Sequence, residues 1–446
     1  MNRKVVIVGA GPAGLANAFW RSIDDPAATV TVLESQQRPG GWVQTSTIDG
    51  YVCELGPQGV RPSAEFATLV AALALEDRLL PSSRAARTRW IGRGGRLLAV
   101  PMGPGGLLST RLLSLGGKLR ILREPFVRRA TSDDESVSAF VARRFGAGVV
   151  PLVHAMVGGI FAGDADRLEI ASAFPALARA EREHGSVMRG MRKRGHASPT
   201  TTPKLPKAAL YSFRGGMSGL IDALAYALGD RIRSSCPVTS IARAPGGYLV
   251  RLRDGSAVHC NEVVLACPAR VSATLVGEFD PELSRDLAEI EYASLASVYL
   301  GFRADGLPPA LNGFGFLLEP GESDAVVGAI CCHSVFPGHA PPGHALVRVM
   351  LGGRNHPHAV DLDDPTLIGL ASDALRRYAG LRTDIGFRHV VRVRDAIPQY
   401  ESGHAERLRR IEHRLSEHPG LALRGNSYRA IALPAQLARA ASLGPA

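Results

Sequence analysis

Gly9, Gly11, Gly14 and Glu34 are the first residues whose types and spacing could do chemistry. The glycines belong to the run Gly9-Ala10-Gly11-Pro12-Ala13-Gly14, directly behind the apolar run Val5-Val6-Ile7-Val8. Gly9 permits a turn that a side chain would block. Gly11 lets the backbone approach a pyrophosphate, and Gly14 lets the following helix pack on the strand. The start of that helix offers free N–H groups and the positive end of a dipole to phosphates. Glu34 closes a second apolar run, Val30-Thr31-Val32-Leu33, and its carboxylate suits the two ribose hydroxyls of an adenosine. Strand, glycine turn, helix, second strand and acid stand in the order that dinucleotide binding requires.

Two further glycine loops extend the pattern. In Arg38-Pro39-Gly40-Gly41-Trp42, the glycines let backbone N–H groups approach a cofactor and Trp42 offers a flat face. Glu54-Leu55-Gly56-Pro57-Gln58-Gly59-Val60-Arg61-Pro62 follows. A nicotinamide dinucleotide needs neither loop. A flavin dinucleotide does, because its ribityl chain and isoalloxazine reach well beyond the pyrophosphate.

The elements that must position these loops divide the chain. Residues 1–95 read as the first part of a nucleotide-binding domain, 205–275 as its second part and 416–446 as its C-terminal part. Residues 96–204 read as a helical insertion and 276–415 as a mixed-sheet, substrate-binding domain. In the insertion, Leu108, Leu112, Leu115, Leu119 and Leu122 recur at spacings of four and three, which predicts one amphipathic helix. Arg111, Lys118, Arg120 and Arg123 lie off that stripe. Such a helix rests either on an anionic membrane surface or on the protein's own core. Arg192 to Lys207 reads as a mobile loop. Tyr248-Leu249-Val250-Arg251-Leu252 alternates as a strand before a hairpin turn at Asp254-Gly255. Strands are also predicted at 262–266, 297–302, 346–351 and 421–423, with a last helix after Gly425-Asn426.

The chain has 446 residues, 46% of them apolar, enough for two or three domains with large cores. Its net charge of +11 points to an anionic substrate, a membrane surface or nucleic acid, unless it reflects genome composition alone. Nucleic acid is set aside, because no basic helix-turn-helix, zinc-finger spacing or aromatic-basic strand occurs. The six cysteines form no CxxC pair, which fits unpaired thiols in a reducing compartment. A chain that opens on its nucleotide strand leaves no room for a signal peptide, and no apolar run is long enough to span a bilayer. His356-Pro357-His358 reads as a surface turn, and no metal ligands are expected.

With these motifs in view, the chain resembles the oxygen-dependent protoporphyrinogen oxidases of the flavin monoamine oxidase superfamily. The Gly-Gly-Trp loop and the Glu54–Pro62 run carry the likeness. So do Val157-Gly158-Gly159-Ile160-Phe161-Ala162-Gly163-Asp164, Ala173-Phe174-Pro175 and Phe213-Arg214-Gly215-Gly216-Met217. Gly313-Phe314-Gly315, Ile397-Pro398-Gln399-Tyr400 and Gly425-Asn426-Ser427-Tyr428 complete it. The resemblance implies an α/β fold: a split FAD-binding Rossmann-type domain, a mixed-sheet substrate domain and a helical membrane-associating insertion. Gly9, Ala10, Gly11, Pro12, Ala13, Gly14, Glu34 and Ser35 would hold the ADP half of FAD. Gly41, Trp42, Gly56, Pro57, Gln58 and Gly59 would line the flavin end. Val238, Asn426, Ile431, Ala432 and Leu433 would meet the cofactor from the later segments. Met156, Gly159, Phe314, Gly315, Leu317 and Met350 would face the tetrapyrrole.

The implied reaction removes six electrons from protoporphyrinogen IX and passes them to oxygen, giving hydrogen peroxide, in heme synthesis at the inner face of the cell membrane. A homodimer is left open. The macrocycle's meso carbon gives up hydride when held close to flavin N5, and its pyrrole N–H protons leave readily. Positioning is then most of the task, and no catalytic acid or base is expected. Coproporphyrinogen III is the alternative substrate, and binding without turnover the alternative role. Three positions depart from the family pattern. Gly105 stands where a propionate-binding arginine would, with Arg96 and Arg111 as nearby substitutes, and Ala430 and Pro434 flank the flavin-contacting pair.

Overall fold

Val5, Val6, Ile7 and Val8 form the strand Lys4–Val8 with all four side chains buried. β-Branched residues covered on both faces suit the middle of a parallel sheet. This strand pairs in parallel with Thr29–Leu33 on one side and Glu262–Leu265 on the other. Leu421–Leu423 and Ile232–Arg233 complete a five-stranded sheet. The structure, a computed structural model, describes residues 3–101, 105–106, 109–130, 134–194, 205–429 and 431–439.

Two apolar clusters cover the sheet. On one face Leu15, Phe19 and Trp20 of the helix Pro12–Asp24 pack with Leu220 and Leu224 of the helix Ser218–Leu228. On the other, Leu283, Leu287, Ile411 and Leu415 pack with Val250 and Leu252. The hairpin read at Asp254-Gly255 is present: Gly247–Leu252 pairs with Ala257–Cys260, and Gly255 has φ of +85°.

A seven-stranded sheet forms the second body. Its order is Ile385–Pro398, Tyr292–Arg303, His344–Gly352, Val326–Ile330, Gly315–Leu318, Arg89–Arg93, Arg96–Ala99. All neighbours are antiparallel except Gly315–Leu318 and Arg89–Arg93, which run parallel. The chain therefore enters this sheet at Arg89, ahead of the boundary drawn at residue 95.

Between the sheets in sequence lies a group of helices, including Val137–Phe145, Val150–Phe161, Pro175–His184 and Val187–Arg194. Phe140, Val141, Val153, Val157, Phe161 and Leu168 form its core, closed by Tyr400. The leucine stripe does not form one helix. Ser114 caps a new helix, Leu115–Leu122, by accepting from the Gly117 N–H, and residues 111–114 are not helical. Leu112 is buried, Leu108 lies outside the described residues, and Leu115, Leu119 and Leu122 point to solvent. The stretch read as mobile falls largely on residues 195–204, also outside the described residues. No helix among the described residues is long and apolar enough to cross a membrane. All six cysteines are unpaired. The last helix among the described residues is a single turn, Leu433–Gln436, with Pro434 in its first turn, where a missing N–H costs nothing.

Candidate active site

The glycine turn has the geometry its sequence predicts. Gly9 has φ of +103°, and a Cβ there would lie 2.9 Å from the Ala266 carbonyl oxygen. At Gly14 a Cβ would lie 2.0 Å from the Gly9 oxygen, so only glycine allows the helix to pass this close. Gly11, the N-cap of the helix Pro12–Asp24, faces open space, and the helix has neither a side-chain cap nor an acid in its first turn. Its leading N–H groups are thus available to an anion. Glu34 is 8% exposed. Its Oε2 accepts from the Ala10 N–H at 2.7 Å and its Oε1 from the Gln36 N–H at 2.9 Å, with the Ser35 hydroxyl at 3.2 Å. The acid is therefore fixed beside the turn. The Cys236 N–H donates to the Glu34 carbonyl, which brings the segment leading into the strand Val238–Ala244 to the same place.

The later loops stack onward from this turn. A Cβ at Gly41 would lie 3.4 Å from the Gly11 Cα, and one at Gly56 would lie 2.2 Å from the Trp42 carbonyl oxygen. Trp42 is partly exposed beside that contact. Pro57 is half-buried, and Gln58 is buried, with Nε2 3.2 Å from His339 Nδ1. Gly59 sits under Phe336 and the Tyr211 carbonyl. Glu54 anchors the loop from behind: its carboxylate accepts from the Met217 N–H at 2.8 Å and the Thr45 hydroxyl at 2.7 Å, and burial pushes it up to about 7. A Cβ at Gly216 would strike Thr45 and Glu54, which explains that glycine.

At the C-terminal side, Tyr400 donates its hydroxyl proton to the Asn426 carbonyl, and Gly425 (φ +134°) faces open space. Ile431 is half-buried, its carbonyl accepting from Gln436; Ala432 is exposed; Leu433 packs into the core beside the helix Pro12–Asp24. Ala430 lies outside the described residues.

Gly159 and Leu317, two of the predicted substrate residues, meet where the helix Val150–Phe161 crosses the seven-stranded sheet. A Cβ at Gly159 would lie 2.7 Å from Leu317 Cδ2, and one at Gly158 3.2 Å from Val327. Met156 is half-buried on the same helix, and Met350 packs with Ala162, Leu295 and Ile330. Gly315 has φ of +136°, and a Cβ would meet the Ala329 oxygen at 1.9 Å. Phe314 packs near Val335 and Phe336, which ties it to the Gly59 loop. The Gln399 side chain donates to the Phe161 carbonyl at 2.8 Å, so two motifs far apart in sequence lock together.

Two arginines outside the predicted set stand at this wall. The Arg89 guanidinium lies 4.7 Å from the centre of the Phe314 ring. Burial first, and then the like charge of Arg61, lower its pKa from the ordinary value. Neither arginine has a carboxylate partner among the described residues. By contrast Arg96 and Arg111 are exposed, and Gly105 faces open space. Strand register marks Arg89: it pairs with Gly315, next to Phe314.

Residues 24–430 match the family described as flavin containing amine oxidoreductase. The chain belongs to that family. This oxidoreductase is 33% identical to the human protoporphyrinogen oxidase, over 97% of this chain and 96% of that protein. It is 28% identical to the coproporphyrinogen III oxidase of Bacillus subtilis, over 97% and 95% of the two chains. A solved structure of a candidate protoporphyrinogen oxidase from Exiguobacterium sp. 255-15 superposes with a TM-score of 0.82 at 25% identity, covering 99% and 97%. The cofactor of this oxidoreductase is FAD, and the open glycine cradle with its uncapped helix fits it.

Proposed function

We propose that this flavoprotein oxidises protoporphyrinogen IX to protoporphyrin IX in heme biosynthesis, with oxygen as acceptor and hydrogen peroxide as product. The stacked pair of Arg89 and Phe314 carries this reading. An aromatic wall suits the face of an apolar macrocycle, and a guanidinium without a carboxylate partner suits a propionate. Gly9–Gly14, Glu34 and Ser35 hold the ADP half of the cofactor, with Val238 and Asn426 beside them. Gly41, Trp42, Gly56–Gly59 and Ile431–Leu433 border its flavin end. The bound flavin supplies the two-electron acceptor. Met156, Gly159, Gly315, Leu317 and Met350 exclude water and orient the meso carbon, and the pyrrole protons pass to solvent without a protein base.

Coproporphyrinogen III is the second reading. Arg61 beside Arg89 provides a second guanidinium at the same wall, which suits a substrate with more carboxylates. The test mixes purified protein with each porphyrinogen in air and follows porphyrin fluorescence and peroxide. A rise above autoxidation with protoporphyrinogen IX supports the first reading. A rise with coproporphyrinogen III alone supports the second. No rise with either, in flavin-loaded protein, overturns both and leaves binding without turnover.

The protein is proposed to work at the inner face of the cell membrane. Leu115, Leu119, Leu122, Phe126, Ile160, Met188 and Met191 are exposed, and all lie in the helical segment. Seven large apolar side chains exposed along one segment of the chain suit a surface that meets more than water.

A further inference from the structure

Arg348 sits in the apolar strand His344–Gly352 and is 5% exposed. A buried guanidinium is costly unless paired. Among the described residues Arg348 has no carboxylate partner. Its Nε donates to the Ser297 hydroxyl at 3.0 Å and its Nη1 to the Gly56 carbonyl at 2.6 Å. The Tyr299 ring lies 5.6 Å from its Cζ. Nη2 has no hydrogen bond to any described residue. Gly56 opens the loop read as bordering the flavin. Met350, two residues along the same strand, faces the same side as Arg348.

Below about pH 7 the surroundings leave the charge standing. Glu54 is the acid within reach, and it is fully buried. Burial pushes it up to about 7, against which the Met217 N–H, the Thr45 hydroxyl and, least of all, Arg348 pull it down. Cys53 and Cys332 are pushed by burial to about 12, and Tyr299 well above its ordinary value. These groups are neutral at physiological pH. Glu54 offsets Arg348 only where it ionises.

We propose that Arg348 gives the flavin site a fixed positive charge that favours the negative charge left on the isoalloxazine by two-electron reduction. The proposal rests on the reading that Gly56–Gly59 borders the flavin. In the reaction the substrate's meso C–H bond breaks and its electron pair and hydrogen pass to the flavin, while a pyrrole proton passes to solvent. The ring gains one negative charge, and a cation held in a dry site stabilises it without reorganising. Holding the Gly56 carbonyl alone would need only a neutral donor, so charge and structure can be separated.

Sodium sulfite, which adds to flavin to form an anionic adduct, is the probe on the FAD-loaded protein. Arg348→Met is expected to weaken sulfite binding at least tenfold, and Arg348→Lys to stay within about threefold of wild type. Unchanged affinity in Arg348→Met, equal loss in both variants, or no adduct in wild type overturns the proposal. If Arg348→Met sheds its flavin, the ratio of wild-type to Glu54→Gln affinity is read between pH 6 and 8. A ratio that falls as Glu54 ionises near pH 7 supports the charge, and a flat ratio overturns it. Wild-type protein that takes up no FAD would instead defeat the reading of the loop.

Discussion

The Arg89 guanidinium rests on the Phe314 ring, and strand pairing of Arg89 with Gly315 holds it there. A cation over an aromatic face loses some of its water yet keeps its edge for a carboxylate. Charged hydrogen bonds of this kind are worth about 1.5–3 kcal/mol. Arg89→Ala should therefore raise the porphyrinogen KM about tenfold or more, with Arg89→Lys between. FAD content should hold, because Arg89 lies on the seven-stranded sheet and not in the sheet that carries the nucleotide turn. Steady-state kinetics and the flavin absorbance per chain check both halves.

Gly159 is packed against the tip of Leu317. That tip can swing, so Gly159→Ala should fold. Alanine is the better helix former by about 1 kcal/mol. The variant should match or exceed wild type in Tm while its KM rises, since the new methyl narrows the cleft. A lower Tm with an unchanged KM would remove Gly159 from the cleft.

Glu34 anchors the Ala10 N–H and is the acid proposed to accept ribose hydroxyls. Glu34→Ala loses charged hydrogen bonds of about 1.5–3 kcal/mol each. The Kd for FAD should rise by one to two orders of magnitude, read from recovery of free-flavin fluorescence on dilution.

Glu54 makes stability depend on pH. The unfolded chain releases this proton near 4.5 and the folded protein near 7, because burial disfavours the carboxylate. Between those values the folded state binds more protons, so stability falls as pH rises and levels off above about 7. The full change is on the order of 3 kcal/mol at 1.36 kcal/mol per pH unit. Urea titrations at pH 5 and pH 8 should show this loss in wild type and a much smaller one in Glu54→Gln.

Leu119 and Phe126 are both well exposed. Replacing both with glutamate should lower co-sedimentation with anionic vesicles and leave porphyrinogen oxidation in detergent intact. Wild-type protein that stays in the supernatant would end the membrane reading.

The nucleotide turn was legible because its requirements are local. Gly9 and Gly14 are forced by atoms of the same strand–turn–helix unit, or by the strand beside it. The leucine stripe misled because spacing alone ignores capping. Ser114 stands inside the stripe and starts a new helix, so Leu112 turns inward while Leu115 turns out. Arg89 was missed because its neighbour Phe314 lies far along the chain, and only a parallel strand pairing joins them. Arg348 could have been flagged, since a charge interrupts the apolar run from Leu346 to Leu351. Its meaning depends on Gly56, which no local pattern connects to it. The place of Arg89–Arg93 in the seven-stranded sheet was hidden for the same reason.

The parallel sheet takes its edge strand from Leu421–Leu423 and its central strand from Lys4–Val8. A ribosome making this protein therefore releases the glycine turn well ahead of the strand that completes its sheet. Until then the apolar faces of the first strands have no finished partner, and such surface is prone to aggregate. Flavin capture thus waits for a strand made long after the turn that cradles it. Cellular FAD supply and chaperone cover during synthesis should govern how much protein accumulates, independently of how well the finished enzyme turns over.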